Sequence, residues 1–352
     1  MASSDKDLRL KLKVSALWRR MSYVVFQEVD LCTFSYRPKY TRKQVTDFDV
    51  LAVHLEPDFA EQIAVAECKS SGEQAMNYLL KLNGLRKFFD AYKAYLVQTR
   101  IDQNAREIGL QTGIWCLDEA NLDTLLAGCG VEDAHIQVEG TSYEKKVALG
   151  EPQKKAFPKA VEYLKYDFWT LPNYRNVVNL IRLFTLMAKS VDAQNESHRL
   201  LAKQMAVNLA VAVSQITADV LRHDASDIPT VVLNLLLGGA RERRDREALF
   251  DTIAKLIPEQ KLSITPDFYE PLTEVVLRFV NAARDACKTI NCLDHFVRQD
   301  LSDSFERVWG SAEQNYGTQT IKLANDVYHF IGRSTGMPLA VFGIETSAGN
   351  AA

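Results

Sequence analysis

The spacing of hydrophobic positions changes several times along the chain, and each change marks an element. From Asp5 to about Ser22, Leu10, Val14, Leu17 and Met21 recur at three- and four-residue intervals, which predicts an amphipathic first helix. The run Tyr23–Phe34 is rich in β-branched and aromatic residues and predicts a strand; the SYRPKYTRKQ that follows, with Pro38 and many charges, predicts a loop. Thr46–Leu55 and Gln62–Ser70 alternate as two further strands, and the short EPDF turn between them predicts an antiparallel hairpin. After Gly72, Met76, Leu79, Leu82, Leu85 and Phe89 mark a helix, and Ala91–Thr99 reads as a fourth strand. A short helix over Asp102–Gln111, a strand over Gly113–Leu117 and a helix over Glu119–Leu126 complete an α/β layer unit that begins αβββαβ around a mixed central sheet.

The character changes beyond Gly140. SYEKKVALGEPQKKAFPKA is charged and carries Pro152 and Pro158, which predicts a polar linker over residues 141–172. From Asn173 to Arg333, Leu-, Val- and Ala-rich segments are punctuated by Pro229, Gly238-Gly239, Pro258, Pro266 and Pro271, predicting about six to eight helices. With 352 residues, 47% of them hydrophobic, the chain is long enough for two cores. The expected organisation is an α/β domain over 1–140, able to fold alone, the linker, an all-α domain over 173–340, and a disordered tail over 341–352.

Charge narrows the partners. The net charge of −3 gives no global attraction for a polyanion, so a nucleic-acid footprint has to be local. Residues 1–45 supply one, with Lys6, Arg9, Lys11, Lys13, Arg19, Arg20, Arg37, Lys39, Arg42 and Lys43 against Asp5, Asp7, Glu28 and Asp30. That set reads equally well as a solvated helix face plus a loop. The six cysteines fall in no tight framework and predict reduced thiols. Neither an N-terminal signal core nor a run approaching 18 apolar residues is evident, so a cytoplasmic protein without a membrane segment is expected.

The chemistry lies in two strands. Side chains two apart on a strand share a face, so Glu67 and Lys69 in AVAECKS point together while Ala66 and Cys68 point away; the same parity aligns Asp47 with Asp49. Carboxylates from two paired strands and one ammonium can thus converge. Charges within such apolar strands are costly unless used or neutralised, and a divalent cation held by Asp49 and Glu67 would do so. All-oxygen ligands favour Mg²⁺, with Mn²⁺ as substitute, over Zn²⁺. Cys287, Cys292 and His295 lack zinc-knuckle spacing and read as buried helix positions; nucleotide-loop and zincin motifs are missing.

An Asp followed 18 residues later by Glu-x-Lys, within VVFQEVDL, TDFDVLAV, AVAECKSS, a helix and AYLVQT, resembles the PD-(D/E)xK nuclease superfamily, which includes many restriction endonucleases and archaeal Holliday-junction resolvases. The resemblance covers roughly residues 5–126; Phe48 stands where the family name has Pro. It implies a restriction-endonuclease-like core and a Mg²⁺-dependent nuclease acting on nucleic acid, DNA before RNA, in restriction, phage defence or repair. Asp49 and Glu67 would be metal ligands, the Cys68 carbonyl a further contact, Glu28 an additional acid, and Lys69 the residue orienting or deprotonating water. Arg19, Arg20, Arg37, Lys39, Arg42, Lys43 and Gln74 are the expected nucleic-acid contacts. For the helical half, nucleic-acid binding, homodimer formation and ligand sensing stay open. The competing reading of the whole chain is an inactive nuclease fold used for binding or assembly.

Overall fold

The computed structural model describes residues 3–35, 41–71, 74–171, 173–223, 225–256 and 263–344. Its first half runs α1 (Ser3–Arg20), β1 (Val24–Ser35), β2 (Thr41–Leu55), β3 (Glu61–Lys69), α2 (Ala75–Phe88), β4 (Lys93–Gln98), α3 (Gln103–Thr112), β5 (Trp115–Asp118) and α4 (Glu119–Gly128). The strands form one sheet in the order β1-β2-β3-β4-β5, antiparallel through β3 and parallel from β3 to β5. A tight turn closes the β2–β3 hairpin, with the Phe59 N–H donating to the Glu56 carbonyl.

The segment expected as a loop after β1 is shorter than its charges suggest. β2 already begins at Thr41, and Arg42 and Lys43 pair with Phe34 and Thr33, so these two cations extend from a strand. Charged side chains on a two-stranded ribbon cost little when they reach water, and pairing satisfies backbone groups that a loop would leave to solvent. Arg37 and Lys39 lie outside the described residues.

One face of the sheet is closed by α1 and α4. Leu10, Val14, Leu17 and Trp18 pack there against Val50, Ala52, Ala64, Ala66, Tyr95 and Val97, with the Trp18 and Tyr95 rings 5.4 Å apart. Each fully buried leucine or valine among them contributes about 1.5–3 kcal/mol.

The expected linker is helical. α5 (Asp133–Ala156) runs through Gly140, followed by α6 (Pro158–Glu162) and a π-helical turn over Tyr163–Asp167. Lys, Glu, Gln and Ala in this stretch are good helix formers, and Pro152 falls near the end of α5, where its missing N–H removes one bond. Glu139 and Ser142 of α5 are fully buried, so the boundary drawn near Gly140 falls within a packed helix.

The rest comprises α7 (Asn173–Ala188), α8 (Glu196–His223), α9 (Ile228–Leu236), α10 (Ala240–Leu256), α11 (Tyr269–Asn281), α12 (Ala283–Ala286), α13 (Thr289–Leu301), α14 (Phe305–Trp309) and α15 (Ala312–Thr335). The count exceeds expectation because α12 and α14 are single turns. α8 is long and apolar enough, by length and composition alone, to cross a membrane; here it is the central helix, buried along most of its length. The second face of the sheet joins this half in one continuous core. Leu51, Val53, Val65 and Leu96 belong to the same cluster as Leu209, Val213 and Ile290, and the Phe59 ring stacks on Phe279 at 6.2 Å.

Candidate active site

Backbone pairing between β2 and β3 ends at Val50 and Ala66, while β3 continues alongside β4 as far as Lys69 and Gln98. The strands part where Asp49 and Glu67 would otherwise face each other. Into this gap the Asp49 carboxylate turns, and its Oδ2 accepts the Cys68 N–H at 2.8 Å, replacing the missing ladder bond. The strict alternation expected along β2 breaks at the same place, since Phe48 joins the core of Leu51 and Val53 on the helical-half face. Asp47 therefore stays nearly half exposed while Asp49 is 2% exposed.

Lys69 bridges the two acids, its Nζ 3.0 Å from Asp49 Oδ2 and 3.2 Å from Glu67 Oε1. Two further lysines complete the cluster. Lys11 of α1 reaches Asp49 Oδ1 at 2.8 Å and Glu28 Oε1 at 2.5 Å. Lys81 of α2 lies 3.2 Å from Glu67 Oε2 and 3.8 Å from Asp47. Glu28, opposite Asp49 across β1 and β2, sits at φ 56°, a left-handed conformation that a non-glycine residue adopts only at a cost of about 1 kcal/mol or more. The structure thus brings Asp49, Glu67, Lys69 and Glu28 together.

The electrostatics separate the two central acids. Burial raises the Asp49 carboxyl, but Lys69, Lys11 and the Cys68 N–H outweigh it and hold the group below the ordinary range. Burial and the adjacent Asp49 charge raise Glu67, and Lys69 and Lys81 do not fully cancel them. Burial opposes the charge on Lys69 and on Lys11, yet their carboxylate partners prevail and both are raised, so each ammonium is a committed cation and donor.

Sequence reasoning missed Lys11 and Lys81. Each is one cation among many on an amphipathic helix, and only the docking of α1 and α2 against the end of the sheet selects it. Asp7 helps set that docking, its carboxylate accepting the Ser70 N–H just beyond β3. Gln98 was missed too: fully buried beside Lys69, it donates to the Ser71 carbonyl at 2.9 Å and steadies the chain leaving β3.

The expected nucleic-acid contacts fare differently. Arg19 is not at a surface: its side chain is 8% exposed and pairs with Glu139 at 2.7 Å and with Asp294. Arg20 is exposed and donates to the Cys129 carbonyl, but both arginines stand at the far end of α1, roughly 12–14 Å along the helix from Lys11. Arg42 pairs with Asp167 at 3.2 Å and lies over the Tyr166 ring. Lys43 and Gln74 are exposed, Gln74 in the left-handed conformation that opens α2.

A cation site at the cluster fits the donors present. Asp49, Glu67 and Glu28 offer carboxylate oxygens, and Lys69 shows that one positive charge can touch Asp49 and Glu67 at once. Among the described residues no group of three or more His, Cys, Asp or Glu is arranged to hold a metal, so a cation here would have at most two central carboxylates from side chains. Cys287, Cys292 and His295 are buried, the histidine ringed by Phe296, Phe305 and Tyr316. Scanned against protein-family models and compared with curated proteins and with solved structures, the chain gives no match.

Proposed function

We propose that the cluster at the parting of β2 and β3 is the active centre of a Mg²⁺-dependent nuclease with a restriction-endonuclease-like core, acting on nucleic acid and on DNA in preference. The observation that carries this reading is the Lys69 ammonium bridging two buried carboxylates from adjacent strands, 3.0 and 3.2 Å away. Two acids side by side at 2% exposure in a sheet carry a desolvation cost, and a cation shared between them would offset it.

In this reading Asp49 and Glu67 hold the metal, with the Cys68 carbonyl adjacent and Glu28 reached through Lys11. Mg²⁺, when bound, supplies an activated water and relieves charge on the phosphoryl group. The protein's own contribution is positional. Lys69, fixed by both acids, orients the attacking water by donating to it; its raised pKa suits a donor better than a base. Lys11 and Lys81, 13% and 32% exposed, would offer ammonium groups to phosphate oxygens were the carboxylates to hold a cation. Lys43 is the nearest strand-borne cation that reaches solvent from β2.

The test is incubation of the full chain with supercoiled plasmid, linear duplex and single strands in Mg²⁺, Mn²⁺ or EDTA. Cleavage that needs the metal and disappears in Glu67→Gln is the expected result; none on any substrate, with metal shown to bind, would overturn it. A second reading, a nuclease fold kept for binding or assembly, is favoured by one fact: Lys11, Lys69, Lys81 and the Cys68 N–H already engage both central carboxylates. Calorimetry separates the two, since a binding module predicts no Mn²⁺ uptake dependent on Asp49.

A further inference from the structure

Between β1 and the helical half lies a second feature that the cluster chemistry does not use. A cavity of about 280 Å³ opens between Phe26 on the strand and Lys146, Trp169, Asn208 and Arg298 on surrounding helical segments. Its walls combine an apolar lining with polar groups that the fold has left unused. Asn208 is 4% exposed, faces this space and makes no hydrogen bond among the described residues. Half-buried Lys146 makes no ion pair or hydrogen bond among the described residues, and half-buried Gln204 lines the same space. A buried amide in a folded protein is normally satisfied, so Asn208, opening onto the cavity without a partner, signals a missing one.

The charges identify the partner's sign. Arg298 and Arg19 are balanced by Glu139 and Asp294. Glu28 is paired with Lys11, and Lys165 with Asp30 at 3.1 Å. Lys146 is left over. Burial and the neighbouring Arg298 pull its pKa down to about 8 against the opposing pull of Asp294 and Glu28, and an incoming anion would relieve the remaining penalty. The apolar side is aromatic: Phe26 and Trp169 meet edge-to-face with centroids 4.8 Å apart, a corner of ring surfaces. A long polymer cannot enter a space of this size, whereas a compact ring-bearing molecule can.

We infer that this cavity binds a small organic anion built on a planar ring, its charged group received by Lys146 beside Arg298, its ring by Phe26 and Trp169, and its polar edge by Asn208. The site is independent of the nuclease reading, although its wall includes Glu28 and so ends two ion pairs from Asp49.

The test is fluorescence titration of the full chain with 8-anilinonaphthalene-1-sulfonate, an anionic ring probe, and with its uncharged analogue N-phenyl-1-naphthylamine. Expected is saturable one-to-one binding of the anion, about tenfold weaker for the neutral dye, because a charged hydrogen-bonded contact is worth at least that factor. Lys146→Met and Asn208→Leu should each weaken the anion about tenfold with unfolding midpoints no lower than the parent, and Lys146→Arg should retain it within about threefold. No saturable binding, equal affinity for the two dyes, or unchanged affinity in Lys146→Met would overturn the inference. Since no cleavage is read, failure here leaves the nuclease reading untouched, and failure of that reading leaves this one standing.

Discussion

Two clusters in this molecule are built from similar charges and do opposite things. At the end of the sheet, Asp49 and Glu67 are held by three lysines; between α1, α5 and α13, Glu139 and Asp294 are held by Arg19 and Arg298. In the second cluster every partner is nearly inaccessible, with Glu139 0% and Arg298 6% exposed. Burial opposes the charge on both arginines, yet Asp294 and Glu139 raise Arg19, whereas Arg298, facing Arg19 as well, is lowered. A planar guanidinium with fixed donors suits a permanent joint, and this one ties the first helix to the helical half. In the sheet-end cluster the acids are buried but the lysines that neutralise them are 13% to 32% exposed, so this cluster borders solvent where the other does not. The lesson is that burial of acids alone does not separate a candidate site from a structural joint; the exposure of the cations that neutralise them does.

The contrast is broken most directly at the sheet end. Asp49→Asn, Glu67→Gln and Lys69→Ala should each reduce metal-dependent cleavage on the order of a hundredfold or more, since each removes a group acting on the reacting centre. Asp47→Asn, half exposed and 3.8 Å from Lys81, should cost less than about tenfold. Initial rates on one plasmid substrate measure all four, and wild-type rates in Glu67→Gln would remove the assignment.

The arginine cluster should answer in stability instead. Glu139→Gln leaves two buried guanidiniums without a full counter-charge and should destabilise the chain by about 3–5 kcal/mol in urea unfolding. Glu67→Gln, which removes a carboxylate that burial and Asp49 disfavour, should leave the midpoint unchanged or raise it. If the two substitutions destabilise equally, both clusters are structural and the distinction fails.

How much of this was legible beforehand follows from the range of each interaction. The β2–β3 hairpin and the shared face of Glu67 and Lys69 depend on neighbours a few residues away, and alternation reveals them. The element order αβββαβ was readable for the same reason. Lys11, Lys81 and Gln98 were not, because their places depend on helix and strand packing across 14 or more residues. Arg19 misled for a related reason: it ends an amphipathic helix beside exposed Arg20, and only the distant Glu139 and Asp294 turn it inward. The α5 segment misled because its charge and prolines suggested a linker, whereas Glu139, Ser142 and Gln153 give it a buried side.

The smallest expected effect concerns the strand-borne cations. Arg42 and Lys43 are adjacent on β2, but alternation sends them to opposite sides, and their surroundings differ. Arg42 is 24% exposed, engaged by Asp167 and Glu162 and stacked over Tyr166, so it is already committed to joining β2 to the π-helical turn. Lys43 reaches solvent. Both sit roughly 20 Å along the strand from Asp49, within the span that a bound duplex would cover. Lys43→Gln should therefore weaken nucleic-acid binding a few-fold at low salt and reduce the slope of log K against log salt by about 0.9, the signature of one phosphate contact. Arg42→Gln should leave the slope unchanged and lower the unfolding midpoint instead. Binding measured at several salt concentrations with Ca²⁺ replacing Mg²⁺ separates the two. Equal slopes for Lys43→Gln and the parent would place the grip on nucleic acid away from this ribbon, and a slope change in Arg42→Gln would mean that its ion pairs with Asp167 and Glu162 open on binding.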